Sequence, residues 1–168
     1  MKLGLYSITY LGLWYRGEAL PLPDMILRAK QYGYDGIEID GKRPHGSPLD
    51  WPASRCRELR SRADGGGIDI FAVAANNDFS SPVPEVREAQ VCFVRDLIRM
   101  TADLGAPTLR VFLAWWGVTR HPRLASYDLA KRLWPVVHEP FSAEEIWGWC
   151  REALIECARC LLITLRQL

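Results

Sequence analysis

Four short apolar runs punctuate the chain, at 2–7, 34–40, 68–75 and 108–114, and each is followed by a stretch with an apolar period near that of a helix. The short runs read as strands. In the first helical stretch Pro23 and Asp24 open a helix, Met25, Ala29 and Tyr32 share a face, and Gly33 ends it. A weaker second helix starts at Asp50 to Pro52, turns Ala53, Cys56 and Leu59 inward, and stops at Gly65-Gly66-Gly67. The third carries a stripe of Val86, Ala89, Phe93, Leu97, Met100 and Leu104 and closes on Gly105. The fourth opens with Ser142-Ala143-Glu144-Glu145, in which Ser142 and Glu145 can satisfy each other's backbone N–H groups. Ile146, Trp149, Ala153, Cys157 and Leu161 then lie on one face.

Strand and helix therefore alternate four times, at a spacing of roughly 30 to 40 residues, the size of a βαβ crossover. Strict alternation implies a parallel sheet covered by helices, either open and doubly wound or closed into a barrel. No G-x-G-x-x-G stands at the first strand-to-helix turn, where a dinucleotide-binding sheet needs it. The triple glycine precedes a strand and reads as a helix stop. The expected fold is α/β, an incomplete (β/α)8 barrel of parallel strands. A full barrel takes about 250 residues, and the 168 residues here supply four units in a single domain, 1–168.

Composition adds limits. Apolar residues make up 49% and charged residues 24%, ordinary for a globular chain. The net charge of +1, from 21 basic and 20 acidic residues, gives no general excess for phosphate contacts, so a nucleic-acid partner is not expected. No apolar run is long enough to span a bilayer, and the first residues lack the pattern of a signal peptide. The five cysteines are odd in number and fall mostly in helical patterns, which suits a reducing cytoplasm. Cys157-Ala158-Arg159-Cys160 has redox spacing but lies late in a helix, away from the N-terminus that lowers a thiol pKa.

In a sheet of this kind ligands gather at the C-terminal strand ends. Tyr6, Ser7 and Thr9 follow the first strand, and Glu38 and Asp40 end the second, ahead of Gly41-Lys42-Arg43-Pro44-His45. Asn76-Asn77-Asp78-Phe79 ends the third. The fourth holds Arg110 and leads through Trp115-Trp116 to a long loop with Arg120, His121 and His138. Amides, carboxylates and aromatic faces together suit a small polar, sugar-like ligand. Glu38 in an apolar strand needs either a function or a partner among Lys42, Arg43 and Arg110. Asn76 to Asp78 fit equally a turn with an N-cap, His45 an exposed loop, and His121 and His138 a loop surface.

The segments Lys2-Leu3-Gly4-Leu5-Tyr6-Ser7, Gly33-Tyr34-Asp35-Gly36-Ile37-Glu38-Ile39, Gly41-Lys42-Arg43-Pro44-His45, Asn76-Asn77-Asp78-Phe79 and Leu104-Gly105-Ala106 with Leu109-Arg110-Val111-Phe112 resemble the xylose isomerase-like barrel superfamily. That group includes sugar phosphate isomerases and epimerases, ketose 3-epimerases, inosose dehydratases and endonuclease IV-type nucleases. The resemblance implies a divalent cation (Mn, Mg, Co or Zn) held by Glu, Asp and His from the fifth strand onward, with two carboxylates moving a proton beside a carbonyl. The final stretch, Cys160 to Leu168, offers none of those ligands, so no metal or catalytic residue carries over. What carries over is a substrate-binding rim of Glu38, His45, Asn76, Asp78, Arg110 and Trp115.

The leading expectation is a metal-dependent sugar or sugar-phosphate isomerase or epimerase, truncated and inactive alone. Two others stand beside it: a half-barrel that homodimerises through its open strand edges or serves as a binding module, and an endonuclease IV-like repair enzyme.

Overall fold

A computed structural model describes residues 1–12, 19–117 and 128–165, with side chains through residue 162. It shows four parallel strands, β1 (Gly4–Tyr6), β2 (Gly36–Asp40), β3 (Asp69–Ala74) and β4 (Leu109–Arg110), hydrogen-bonded in that order. The helices are α1 (Leu22–Gln31), α2 (Ala53–Gly66), α3 (Pro84–Asp103), α4 (Asp128–His138) and α5 (Ala143–Leu165). A 3-10 turn, Ser7–Tyr10, follows β1. The α/β barrel expectation stands: these are four of the eight strand-helix units of a (β/α)8 barrel. Two compact units make up the chain, one of Met1–Ala75 with Asp96–Arg110 and one of Asn76–Arg95 with Val111–Leu168, so α3 runs through both.

The first unit holds the sheet. Leu5, Ile37, Ile39 and Ile70 are buried, as are Leu22, Met25, Ile26 and Ala29 of α1 and Cys56, Leu59 and Ala63 of α2. α1 packs on α2 and β2, and α2 on β3, so the strands' apolar positions and the helices' apolar faces form one core. Tyr32 departs from the expected face: α1 ends before it, and it is exposed. The triple glycine is a helix stop, with Gly67 at φ +70°, and Gly105 at φ +69° does the same after α3. Both backbones lie where a side chain would be strained.

Near the start of the strands, the Phe71 ring lies over Gly4, where a Cβ would collide with it, and a Cβ at neighbouring Gly36 would collide with the Asp69 carbonyl. The β2–β3 register shifts between Ile37 and Glu38, a bulge that re-aims the end of β2.

Three further expectations change. The α3 stripe is buried at Leu97, Met100 and Leu104, but Val86 and Ala89 are exposed, and Val91, Val94 and Ile98 are buried instead. The arc that a helix buries is wider than a single row and ends where its cover ends. β4 is shorter than 108–114, because only Leu109 and Arg110 pair with β3. Past it, in the second unit, Asp78 bridges Ala114 in antiparallel sense and Phe79 N–H donates to the Leu113 carbonyl at 2.7 Å. Finally, the stretch leading to His138 is not all loop: α4 contains Pro135, which breaks a helical pattern on paper.

Candidate functional site

The C-terminal ends of β1, β2 and β4 bring polar side chains together in the first unit. Glu38 is the central position of β2, paired in register with Tyr6 of β1. Arg110 closes β4. Its Nε donates to Glu38 Oε1 at 2.8 Å, and its guanidinium carbon lies 5.0 Å from the centre of the Tyr6 ring. Of the three cations open to Glu38 in the sequence, Arg110 is the partner this structure records in a salt bridge. A half-buried carboxylate is thereby matched by a cation stacked on an aromatic face.

Tyr6 links this pair to a second one. Its hydroxyl donates to Asp40 Oδ1 at 2.8 Å, and Lys42 Nζ lies 3.5 Å from Asp40 Oδ2. Burial, then the Asp40 charge and hydrogen bond, push the Tyr6 phenol well above its ordinary pKa, so it stays a donor. Asp40 is fully buried, which makes the phenol and the ammonium its compensation.

His45 sits beneath this rim and not on an exposed loop, with 1% of its surface accessible. Its Nε2 is 2.9 Å from the Leu20 carbonyl, which can only accept, so Nε2 carries the proton. Ser7 Oγ then donates to Nδ1 at 3.1 Å and accepts the Asp40 backbone N–H at 2.7 Å. Burial lowers the His45 pKa, in keeping with a neutral ring. Trp51 Nε1 donates to the His45 carbonyl. His45 therefore ties the 3-10 turn after β1 to the loop after β2 and fixes the strand ends above it.

Asn76, Asp78 and Trp115 belong to the second unit. Asn76 is half-buried. Asp78 Oδ1 accepts from the Ser80 backbone N–H at 2.9 Å and from the Ser80 hydroxyl, while its own N–H donates to Gln90 Oε1 at 3.1 Å. This is the turn-forming role that the residue type allows. Trp115 lies near by: its N–H donates to the Asn77 carbonyl at 3.2 Å, and its ring packs 5.2 Å from that of Phe112. Glu38 and Arg110 are thus in direct contact, His45 supports their rim through Ser7 and Asp40, and Asp78 and Trp115 form a separate local group.

Sequence reasoning left four positions out of the binding set. Tyr6 and Asp40 were named at the strand ends but not placed in the binding set, although an Asp closing an apolar strand signals a partnered carboxylate. Asn77 is fully buried and holds Phe112 with both ends of its amide, Nδ2 to the carbonyl at 2.6 Å and Oδ1 from the N–H at 3.0 Å. His138 ends α4 and is buried, not a loop surface residue, with its ring stacked 3.8 Å from Trp134 and its Nε2 2.9 Å from the Ser80 carbonyl. Arg120 and His121 lie outside the described residues.

The profile of the family described as xylose isomerase-like TIM barrel matches residues 26–162. This chain belongs to that family. Solved structures agree on the fold. A D-psicose 3-epimerase from Clostridium cellulolyticum H10, with D-tagatose, superposes with a TM-score of 0.67 at 20% identity, covering 98% of this chain and 50% of that one. A 3-keto-D-glucoside 4-epimerase from E. coli gives 0.63 at 16%, covering 98% and 53%, and an L-ribulose 3-epimerase gives 0.62 at 18%, covering 98% and 47%. The chain thus spans about half the length of these structures. No curated protein sequence matches it significantly.

The family resemblance implies a divalent cation. Among the described residues no three His, Cys, Asp or Glu side chains group as its ligands would. Glu38 and Asp40 are engaged by Arg110, Tyr6 and Lys42. The described residues therefore do not fit a metal centre.

Proposed function

We propose that this chain supplies a substrate-holding rim of a sugar isomerase or epimerase barrel, and that the proton-transfer groups are not among its described residues. The observation that carries this reading is the Tyr6–Asp40, Arg110–Glu38 arrangement at the strand ends. A polyhydroxy ligand needs donors and acceptors at fixed spacing and a flat apolar face for its C–H surface. Arg110, Lys42 and the Tyr6 ring meet those needs, and Glu38 and Asp40 fix them in place. The fold shared with sugar epimerases supports the ligand class. Binding and orientation are the roles these side chains can perform; they hold no free base beside a free acid.

The test is ligand binding by the 168-residue chain itself. A neutral ketohexose should shift the Tyr6 and Arg110 resonances at millimolar concentration, and absence of any shift contradicts the proposal. The chain alone should show no exchange of substrate α-protons with solvent, and exchange at a rate above a buffer control contradicts the second half of the reading.

A second reading rests on the sheet. β1 and β4 are its two edges, and Phe71 and Leu3 are exposed beside a shallow cavity of about 280 Å³ lined also by Gly4, Gly36 and Lys2. Edges unpaired among the described residues and exposed apolar side chains favour a second copy of the chain as their cover. Light scattering that gives a discrete dimer supports it, and a compact monomer at high concentration rules it out.

A further inference from the structure

At the strand ends of the first unit each of two carboxylates faces a cation. Glu38 carries Arg110 at 2.8 Å, with side chains 15% and 38% exposed, and Asp40 carries Lys42 at 3.5 Å, with side chains fully buried and 22% exposed. Burial lowers the His45 pKa, outweighing the Leu20 carbonyl and the Asp40 charge, which raise it, while the ring is fixed by its hydrogen bonds to Ser7 and Leu20. Two carboxylates thus stand against two cations, and the rim of the first unit sums to zero charge.

We propose that Glu38 is a specificity-determining residue, one that reserves this rim for the uncharged, hydroxyl-bearing part of a ligand and turns away phosphate. The inference rests on the proposed sugar-binding role and refines it. A phosphate dianion draws its affinity from cations with charge to spare, and best from a guanidinium that can turn its fork of N–H groups toward the anion. Here the guanidinium charge is matched by Glu38 through Nε, and its plane is held against the Tyr6 ring. To serve a phosphate, Arg110 would have to leave a carboxylate that is largely out of water, and Lys42 would have to leave one wholly out of water. A hydroxyl asks for neither. It can accept from an N–H of Arg110 or Lys42, or donate to a remaining carboxylate lone pair, while both ion pairs stay closed.

The pairing can be undone at one atom. Glu38→Gln keeps the side-chain shape and an oxygen to accept from Arg110 Nε, but removes the charge that neutralises the guanidinium. The variant should therefore gain what the natural chain lacks.

The experiment follows the Arg110 Nε–H and Tyr6 resonances of the isotope-labelled chain during titration with inorganic phosphate and, separately, with a neutral ketohexose. The natural chain should respond to the ketohexose and not to phosphate at equal concentration and constant ionic strength, whereas Glu38→Gln should bind phosphate at least about tenfold more tightly than the natural chain. A phosphate response in the natural chain equal to that of the ketohexose overturns this inference and leaves the sugar-binding role standing. Silence toward both ligands overturns the sugar-binding role and the inference with it. A folded Glu38→Gln with no gain for phosphate overturns the inference alone, and if that variant does not fold, the two titrations of the natural chain still decide.

Discussion

Arg110 and Glu38, 72 residues apart in the chain, meet through a single 2.8 Å hydrogen bond at the ends of β4 and β2. Parallel pairing of β1 to β2 to β3 to β4 puts the two side chains on a common rim, and the Tyr6 ring fixes the guanidinium from the side. The pair is a device of stability as well as of recognition. Arg110→Ala leaves the Glu38 carboxylate, 15% exposed, without its cation. Discounted for the partial exposure of Arg110, the loss should be about 1–3 kcal/mol. Denaturant unfolding of the variant measures it, and an unchanged midpoint would mean that the pair is solvated in solution.

Asn77 should be the more costly position. Its fully buried amide satisfies both backbone groups of half-buried Phe112. Asn77→Ala leaves one donor and one acceptor without their partner, at about 1–3 kcal/mol each when fully buried; discounted for the partial exposure of Phe112, a loss of about 2–4 kcal/mol is expected by urea unfolding. Asn77→Asp should be no rescue, since a carboxylate would face the Phe112 carbonyl.

Acid should weaken the first unit through His45. Burial holds its folded pKa below the ordinary value near 6.5, so the unfolded chain takes up the proton first. The stability tied to the neutral ring is complete above that ordinary value and is lost as pH falls through it toward the lower folded pKa. The urea midpoint should drop between pH 7.5 and 5.5, and His45→Gln should flatten that part of the profile. A natural chain as stable at pH 5.5 as at 7.5 would contradict the buried, neutral imidazole.

The thiols offer a separate check. Burial pushes Cys56 and Cys157 up to about 11, whereas Cys92 is exposed. A thiol reagent at neutral pH should modify Cys92 first and Cys56 and Cys157 last. Fast reaction of Cys157, or a disulfide to Cys160 under mild oxidation, would restore the redox reading of that C-x-x-C.

How much of this the sequence disclosed depends on distance along the chain. The capping box at Ser142 and Glu145 is local, and it forms as read, with Ser142 N–H donating to Glu145 Oε2 at 2.8 Å and Glu145 N–H to Ser142 Oγ at 3.2 Å. The alternation of strand and helix is equally local, and it carries the barrel fold. Glu38 was legible as a residue in need of a partner, but the choice of Arg110 over Lys42 or Arg43 is a matter of register between strands, which no spacing in the chain encodes. His45 beside a proline and a glycine looks like loop surface until Ser7 and the Leu20 carbonyl arrive from other segments to bury it. The helix ending at His138 was hidden by Pro135, because local pattern weighs a proline as a break where packing here tolerates it.

The central claim is that the strand-end rim binds a neutral polyhydroxy ligand, and the most direct measurement is titration of the labelled chain with a ketohexose while the Tyr6 and Arg110 resonances are followed. The account predicts saturable shifts at those two residues, with the Tyr6 shift lost in Arg110→Ala. Shifts absent from both residues, or a Tyr6 shift unchanged in Arg110→Ala, would contradict it.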